Sequence, residues 1–171
     1  MGANSTPAWG RPRCRLALAV MVLLYGSAHA QRSSSSSPFE GFAGTWSGSG
    51  TIALSNGRTE RLRCDAAYAV ALAGRSLRQN LNCRSDSYVF ELRTEVNSEG
   101  GRISGRWSET SRNLVGRISG QVRDRQVEAI AEGPGFSAVI EMSTSGRRQS
   151  VGIRSHGTEL SRIAVELTRS R

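Results

Sequence analysis

From Glu60 onward, polar and apolar residues alternate strictly. Glu60, Leu62, Cys64, Ala66, Tyr68, Val70 and Leu72 share one parity, and Thr59, Arg61, Arg63, Asp65, Ala67 and Ala69 share the other. A period of two marks a half-buried strand, with the first set facing inward. After Ala73-Gly74 the alternation resumes, Leu77, Gln79, Leu81 and Cys83 against Ser76, Arg78, Asn80, Asn82 and Arg84. Folding the chain at Ala73-Gly74 sets Val70 opposite Leu77, Tyr68 opposite Gln79, Ala66 opposite Leu81 and Cys64 opposite Cys83. The apolar face and the cysteine pair select the same register, and a slip by one residue would turn every apolar side chain to water. Directly opposed residues have Cα atoms about 4.5 to 5.5 Å apart, which a disulfide accepts. The turn is either two residues, Ala73-Gly74, or a four-residue loop from Leu72 to Arg75 in the same register. A disulfide here closes a loop of about 20 residues, worth roughly 3 kcal/mol by loop-closure entropy.

The same alternation runs through the rest of the chain. A first strand over Phe42 to Leu54 turns in Phe42, Gly44, Trp46, Gly48, Gly50, Ile52 and Leu54, and ends at the hairpin turn Ser55-Asn56-Gly57. Later strands are predicted over Ser87 to Val96, Arg102 to Thr110, Leu114 to Val122, Gln126 to Glu132, Phe136 to Thr144, Arg147 to Arg154 and Leu160 to Arg169. Asn97 to Gly101 reads as a longer loop, His156-Gly157 as a turn, and the strand from Gln126 has ambiguous parity. Gly101-Arg102-Ile103-Ser104-Gly105 recurs as Gly116-Arg117-Ile118-Ser119-Gly120. No segment after the leader has helical period. Evenly spaced strands joined by short turns predict an all-β fold, an up-and-down antiparallel β-barrel of about 8–10 strands with one hairpin disulfide.

Composition adds a compartment. Arg11, Arg13 and Arg15 precede an apolar run from Leu16 to Tyr25, and Ala28-His29-Ala30 follows. That order is a signal peptide over residues 1–30, cleaved after Ala30, with an apolar run too short to span a bilayer. Residues 31–40 read as a flexible serine-rich leader and 41–171 as one barrel domain. The expected location is periplasmic or secreted, where Cys64 and Cys83 are free to pair. Removing the three signal arginines lowers the formal charge of +9 by three, and the chain has no lysine. The arginines are scattered on outward parities and form no block; an exported protein rarely meets nucleic acid, so none is expected as a partner, and anionic envelope lipid or polysaccharide is the better candidate for a basic surface. The same charged outward parity argues against a membrane-integral barrel, which needs an apolar outer band.

Gly44-Thr45-Trp46 resembles the Gly-x-Trp opening of the calycin barrels, the lipocalins and avidins, and Ser104-Gly105-Arg106-Trp107 is similar to an inner avidin strand. The resemblance covers about ten residues. It implies a barrel in which Trp46 closes the floor or lines the site, and it supplies no ligand. The helix that follows a lipocalin barrel has no counterpart before Arg171. The remainder resembles small exported bacterial proteins of unknown function.

Candidate chemistry is sparse. The mature chain has one histidine, His156, and two cysteines expected to be bonded, so no metal site or cofactor is expected. It has no Gly-x-Ser-x-Gly elbow and no helix for a phosphate loop, so no catalytic residues and no enzyme are expected. Two functions compete. In the first, Trp46, Tyr68, Phe90, Trp107 and Phe136 line a cavity for a small apolar or amphipathic molecule, with Gln79 and Glu109 as polar anchors. Inward Gly44, Gly48, Gly50, Gly105, Gly116 and Gly120 either widen that cavity or only let the strands bend. In the second, the core is solid and the protein is an envelope interaction module using its basic outer surface.

Overall fold

The computed structural model describes residues 37–171; the expected signal over 1–30 and residues 31–36 of the leader lie outside the described residues. Ten antiparallel strands follow one another: β1 (Gly44–Leu54), β2 (Thr59–Ala71), β3 (Ser76–Arg84), β4 (Val89–Glu99), β5 (Arg102–Glu109), β6 (Leu114–Arg123), β7 (Gln126–Gly133), β8 (Phe136–Ser145), β9 (Arg148–His156) and β10 (Leu160–Arg169). Each strand pairs with its neighbours in sequence, and β10 pairs with β1, which closes the barrel. Closure leaves no free sheet edge.

The hairpin β2–β3 has the expected register throughout, including Ala66 opposite Leu81, Tyr68 opposite Gln79 and Cys64 opposite Cys83. The two cysteines form a disulfide, with Cα atoms 4.1 Å apart. The connection is the four-residue loop, in which Leu72, Ala73 and Gly74 all have positive φ. Leu72 therefore leaves the strand and is exposed, although its parity assigned it to the inner face. The long loop expected after β4 is also shorter than its sequence suggested. Asn97, Ser98 and Glu99 pair with β5 as part of β4, and the connection shrinks to Gly100-Gly101. Both glycines have positive φ, as a two-residue hairpin turn requires. His156, expected in a turn, is the last residue of β9 and pairs with Ser137, because Gly157 supplies the positive φ of that turn.

Strand β7, whose parity the sequence leaves open, turns Val127, Ala129 and Ala131 inward and leaves Ile130 exposed. The repeated Gly-Arg-Ile-Ser-Gly words lie side by side on β5 and β6, with Ile103 opposite Gly120 and Gly105 opposite Ile118. Each isoleucine therefore sits across from the other copy's glycine.

One end of the barrel, the floor, is plugged. Phe42, expected to begin the first strand, instead ends a 3₁₀ turn, Glu40–Phe42. Three residues per turn put positions i and i+3 on one side, so Phe39 and Phe42 both turn into the barrel and are fully buried. The bond from Phe42 N–H to Phe39 O, 2.9 Å, closes the turn, and Phe39 N–H donates to Gly74 O of the β2–β3 loop at 3.0 Å. Gly44, at φ +118°, redirects the chain from plug to strand. Trp46 packs edge-on to Tyr68, and Tyr68 edge-on to Phe42. The Trp46 indole N–H donates to Phe42 O at 2.9 Å, and the Arg169 guanidinium lies 4.6 Å from the Trp46 ring centre.

The inward glycines of the strands mark close backbone approach. A Cβ on Gly48, Gly50, Gly105, Gly116 or Gly120 would lie about 2 Å from a carbonyl oxygen on the neighbouring strand. These positions are glycine because the backbones touch there.

Replacing both cysteines, Cys64→Ala with Cys83→Ala, should lower unfolding stability by about 3 kcal/mol while far-UV circular dichroism stays unchanged. Urea titration measures it, and an unchanged midpoint would show that the disulfide adds nothing to the register already set by side-chain alternation.

Candidate ligand-binding site

The interior is filled unevenly. On β1 and β2, Trp46, Ile52, Leu62, Cys64 and Ala66 are almost fully buried and belong to one core with Cys83. Across the barrel, inward residues such as Trp107, Ala131, Ala138 and Ile140 border a hollow of about 400 Å³. Its walls come from β3 through β10, with no residue of β1 or β2, and Phe39 of the plug forms its base. Toward the other end of the barrel, the rim, the lining passes to Arg112, Thr158 and Glu159 on connecting loops. The hollow therefore has an aromatic floor, an apolar wall and a charged rim.

Of the residues expected to form a site, Gln79, Phe90, Trp107 and Glu109 line this hollow, as does Phe136. Trp46 and Tyr68 do not; they pack with Phe42 in the floor. Parity placed both correctly on the inner face, but it carries no information about depth along the barrel axis.

Trp107 is anchored through its indole edge. The N–H is shared between Arg117 O and Glu132 O, each at 3.2 Å. A Cβ on Gly116 would come within 2.6 Å of the ring, and one on Gly133 within 2.9 Å. Glycine at those two positions makes room for the indole, whose ring centre lies 5.6 Å from that of Phe136.

Glu109 is committed to the rim. Its carboxylate accepts hydrogen bonds from the backbone N–H of Glu91 (3.1 Å), Ser111 (3.2 Å) and Arg112 (2.7 Å), and from the Ser111 hydroxyl. Burial pushes its pKa up, but these donors outweigh burial and hold it below the ordinary value. Glu60, at the start of β2, does the same for the loop before β4. It accepts from the Ser85 hydroxyl at 2.7 Å and the Ser87 N–H at 3.0 Å, and Arg58 lies 3.3 Å away. Hydrogen bonds from Ser85 and Ser87 hold its pKa below the ordinary value. Glu60 shares the inward parity of Leu62 and Cys64, which was the available signal for its burial.

A buried polar chain crosses behind the wall. The Gln79 amide nitrogen donates to the Tyr68 hydroxyl (3.2 Å), which donates to Gln149 Oε1 (2.8 Å), whose amide nitrogen donates to Thr144 Oγ1 (3.0 Å). Gln149 is fully buried. Burial pushes the Tyr68 phenol well above its ordinary pKa, so it stays protonated. At the rim Tyr88 stacks on Phe90, and Arg112 sits 5.2 Å from the Phe90 ring centre. A second hollow of about 500 Å³ lies over β3 and β4, lined by residues such as Asn80, Asn82, Glu91 and Arg93. It lacks the apolar enclosure of the interior one.

No protein-family model matches the sequence, and no curated protein matches it. Among solved structures that share the fold, Rv2717c from M. tuberculosis superposes with a TM-score of 0.56 at 14% identity, covering 77% of this chain and 94% of its own. The S-type phycobiliprotein lyase CPES from Guillardia theta gives 0.55 at 14% identity, covering 78% and 90%. These likenesses bear on the fold alone, and they agree with the calycin-like barrel that Gly44-Thr45-Trp46 implied.

Both rim carboxylates have folded pKa values below the ordinary 4.5, so their stabilisation is present above that pH and is lost as pH falls through the folded values. Stability should therefore drop on acidification below about 4.5, and the drop should be shallower in the double variant Glu60→Gln, Glu109→Gln. Urea midpoints across the acid range measure both; parallel curves would show that other groups drive acid unfolding.

Proposed function

We propose that this protein is an exported β-barrel that binds a small apolar or amphipathic molecule in the hollow between β3 and β10. The observation that carries this reading is the hollow itself, about 400 Å³ with mostly apolar walls and a few polar groups. Small-molecule pockets commonly measure about 300 to 1,000 Å³ with that kind of lining. The plugged floor makes the rim the entrance. The two buried carboxylates support the same reading, because each ties down a loop at a strand end.

Export is supported by the order of basic, apolar and small residues at the N-terminus and by the Cys64–Cys83 disulfide, which persists best in an oxidising compartment. One barrel of this fold belongs to a protein named as a lyase, so the scaffold is compatible with chemistry on a bound molecule. Of the two acids that line the hollow at its rim, Glu109 and Glu159, Glu109 is already occupied by four donors, which favours binding over acid–base catalysis by that group. The competing envelope module with a solid core finds less support, because of the interior hollow. Anionic lipid or polysaccharide would then be a secondary contact of the outer arginines, such as Arg63 and Arg84, which face each other across β2 and β3.

Native mass spectrometry of the protein purified from its own host should show a bound small mass. Ala138→Phe, which projects a ring into the hollow, should remove that mass and weaken uptake of an apolar fluorophore about tenfold or more, a loss of about 1.4 kcal/mol. Wild-type protein that carries no mass and takes up no fluorophore would contradict the reading.

A further inference from the structure

Gln79 interrupts an apolar row. Its neighbours on the same face of β3, Leu77 and Leu81, and most of the surrounding wall are hydrocarbon. A leucine at this position would suit a purely apolar cavity better, because a buried amide without a partner costs about 1 to 3 kcal/mol. In the structure its amide nitrogen is directed at the Tyr68 hydroxyl, which leaves Oε1 as the free end of the amide. Tyr68 is itself held by its bond to Gln149. Among the described residues, Gln79 Oε1 accepts no hydrogen bond, yet it is not sealed off from solvent. Since Gln79 is half-buried on the inner face and lines the hollow, Oε1 is reached from the hollow. Thr94 is its direct partner on β4 and also lines the hollow, with a hydroxyl that makes no side-chain hydrogen bond among the described residues.

We infer that Gln79 and Thr94 form a polar recognition point inside the cavity, selecting an amphipathic ligand whose apolar body carries a hydroxyl or N–H donor. The donor bonds to Gln79 Oε1, and the Thr94 hydroxyl completes its partners. Tyr68 and Gln149 are positioning residues, since they aim the Gln79 amide without lining the hollow. This rests on the cavity reading above and adds the ligand's polar group to it.

The test uses two fluorescent probes of nearly equal size, 1-pyrenemethanol and 1-methylpyrene, titrated into the purified protein. The wild type should bind both and prefer the alcohol by about threefold to tenfold, as one net hydrogen bond allows. Gln79→Met should erase the preference while leaving 1-methylpyrene binding within about twofold. Tyr68→Phe should reduce the preference without erasing it. Equal binding of the two probes by the wild type would overturn the inference and leave the cavity standing, and this comparison needs no variant to fold. Binding of neither probe would overturn both readings. A preference that survives Gln79→Met would also overturn the assignment to Gln79.

Discussion

A closed barrel sets its own diameter through its strand number. Around eight strands, side chains can fill the interior; with ten, the space grows beyond what one layer of inward residues fills. The surplus must be plugged or left open, and this chain does both. Phe39 and Phe42 enter through a 3₁₀ turn and seal the floor with Trp46 and Tyr68. Inward residues of β1 and β2 pack into the core on one side, and the walls from β3 to β10 border the hollow.

Polar groups inside the barrel follow from the same constraint. A buried carboxylate is tolerated only where donors surround it. Glu60 and Glu109 satisfy that at strand ends, where loop N–H groups are free because strand pairing has ended. Near the floor, the Gln79–Tyr68–Gln149–Thr144 chain is built from side chains alone. The open end of that chain, Gln79, places a polar group on the otherwise largely apolar wall of the hollow.

Strand pairing was largely legible in the sequence, because period two fixes a side chain's face and the Cys64–Cys83 pair fixes the register. The plug was not. Phe39 and Phe42 are three apart, a spacing that breaks strand alternation, so Phe42 reads as the start of β1 and Phe39 as part of the leader. The parity of β7 was obscured because its largest apolar residue, Ile130, faces outward while small alanines face in. Depth was hidden as well. Trp46 and Trp107 share the inner face, but only the register of the whole barrel sends one to the floor and the other to the wall. The role of Glu60 depends on Ser85 and Ser87, brought close only by the β2–β3 hairpin.

The central claim is the uneven interior, solid beside β1 and β2 and hollow beside Trp107. Xenon occupies apolar cavities and avoids close-packed cores. A crystal structure under xenon pressure should show xenon between β3 and β10, near Trp107 and Ile140, and none among Trp46, Ile52 and Leu62. Xenon absent from the first region, or present in the second, would contradict it.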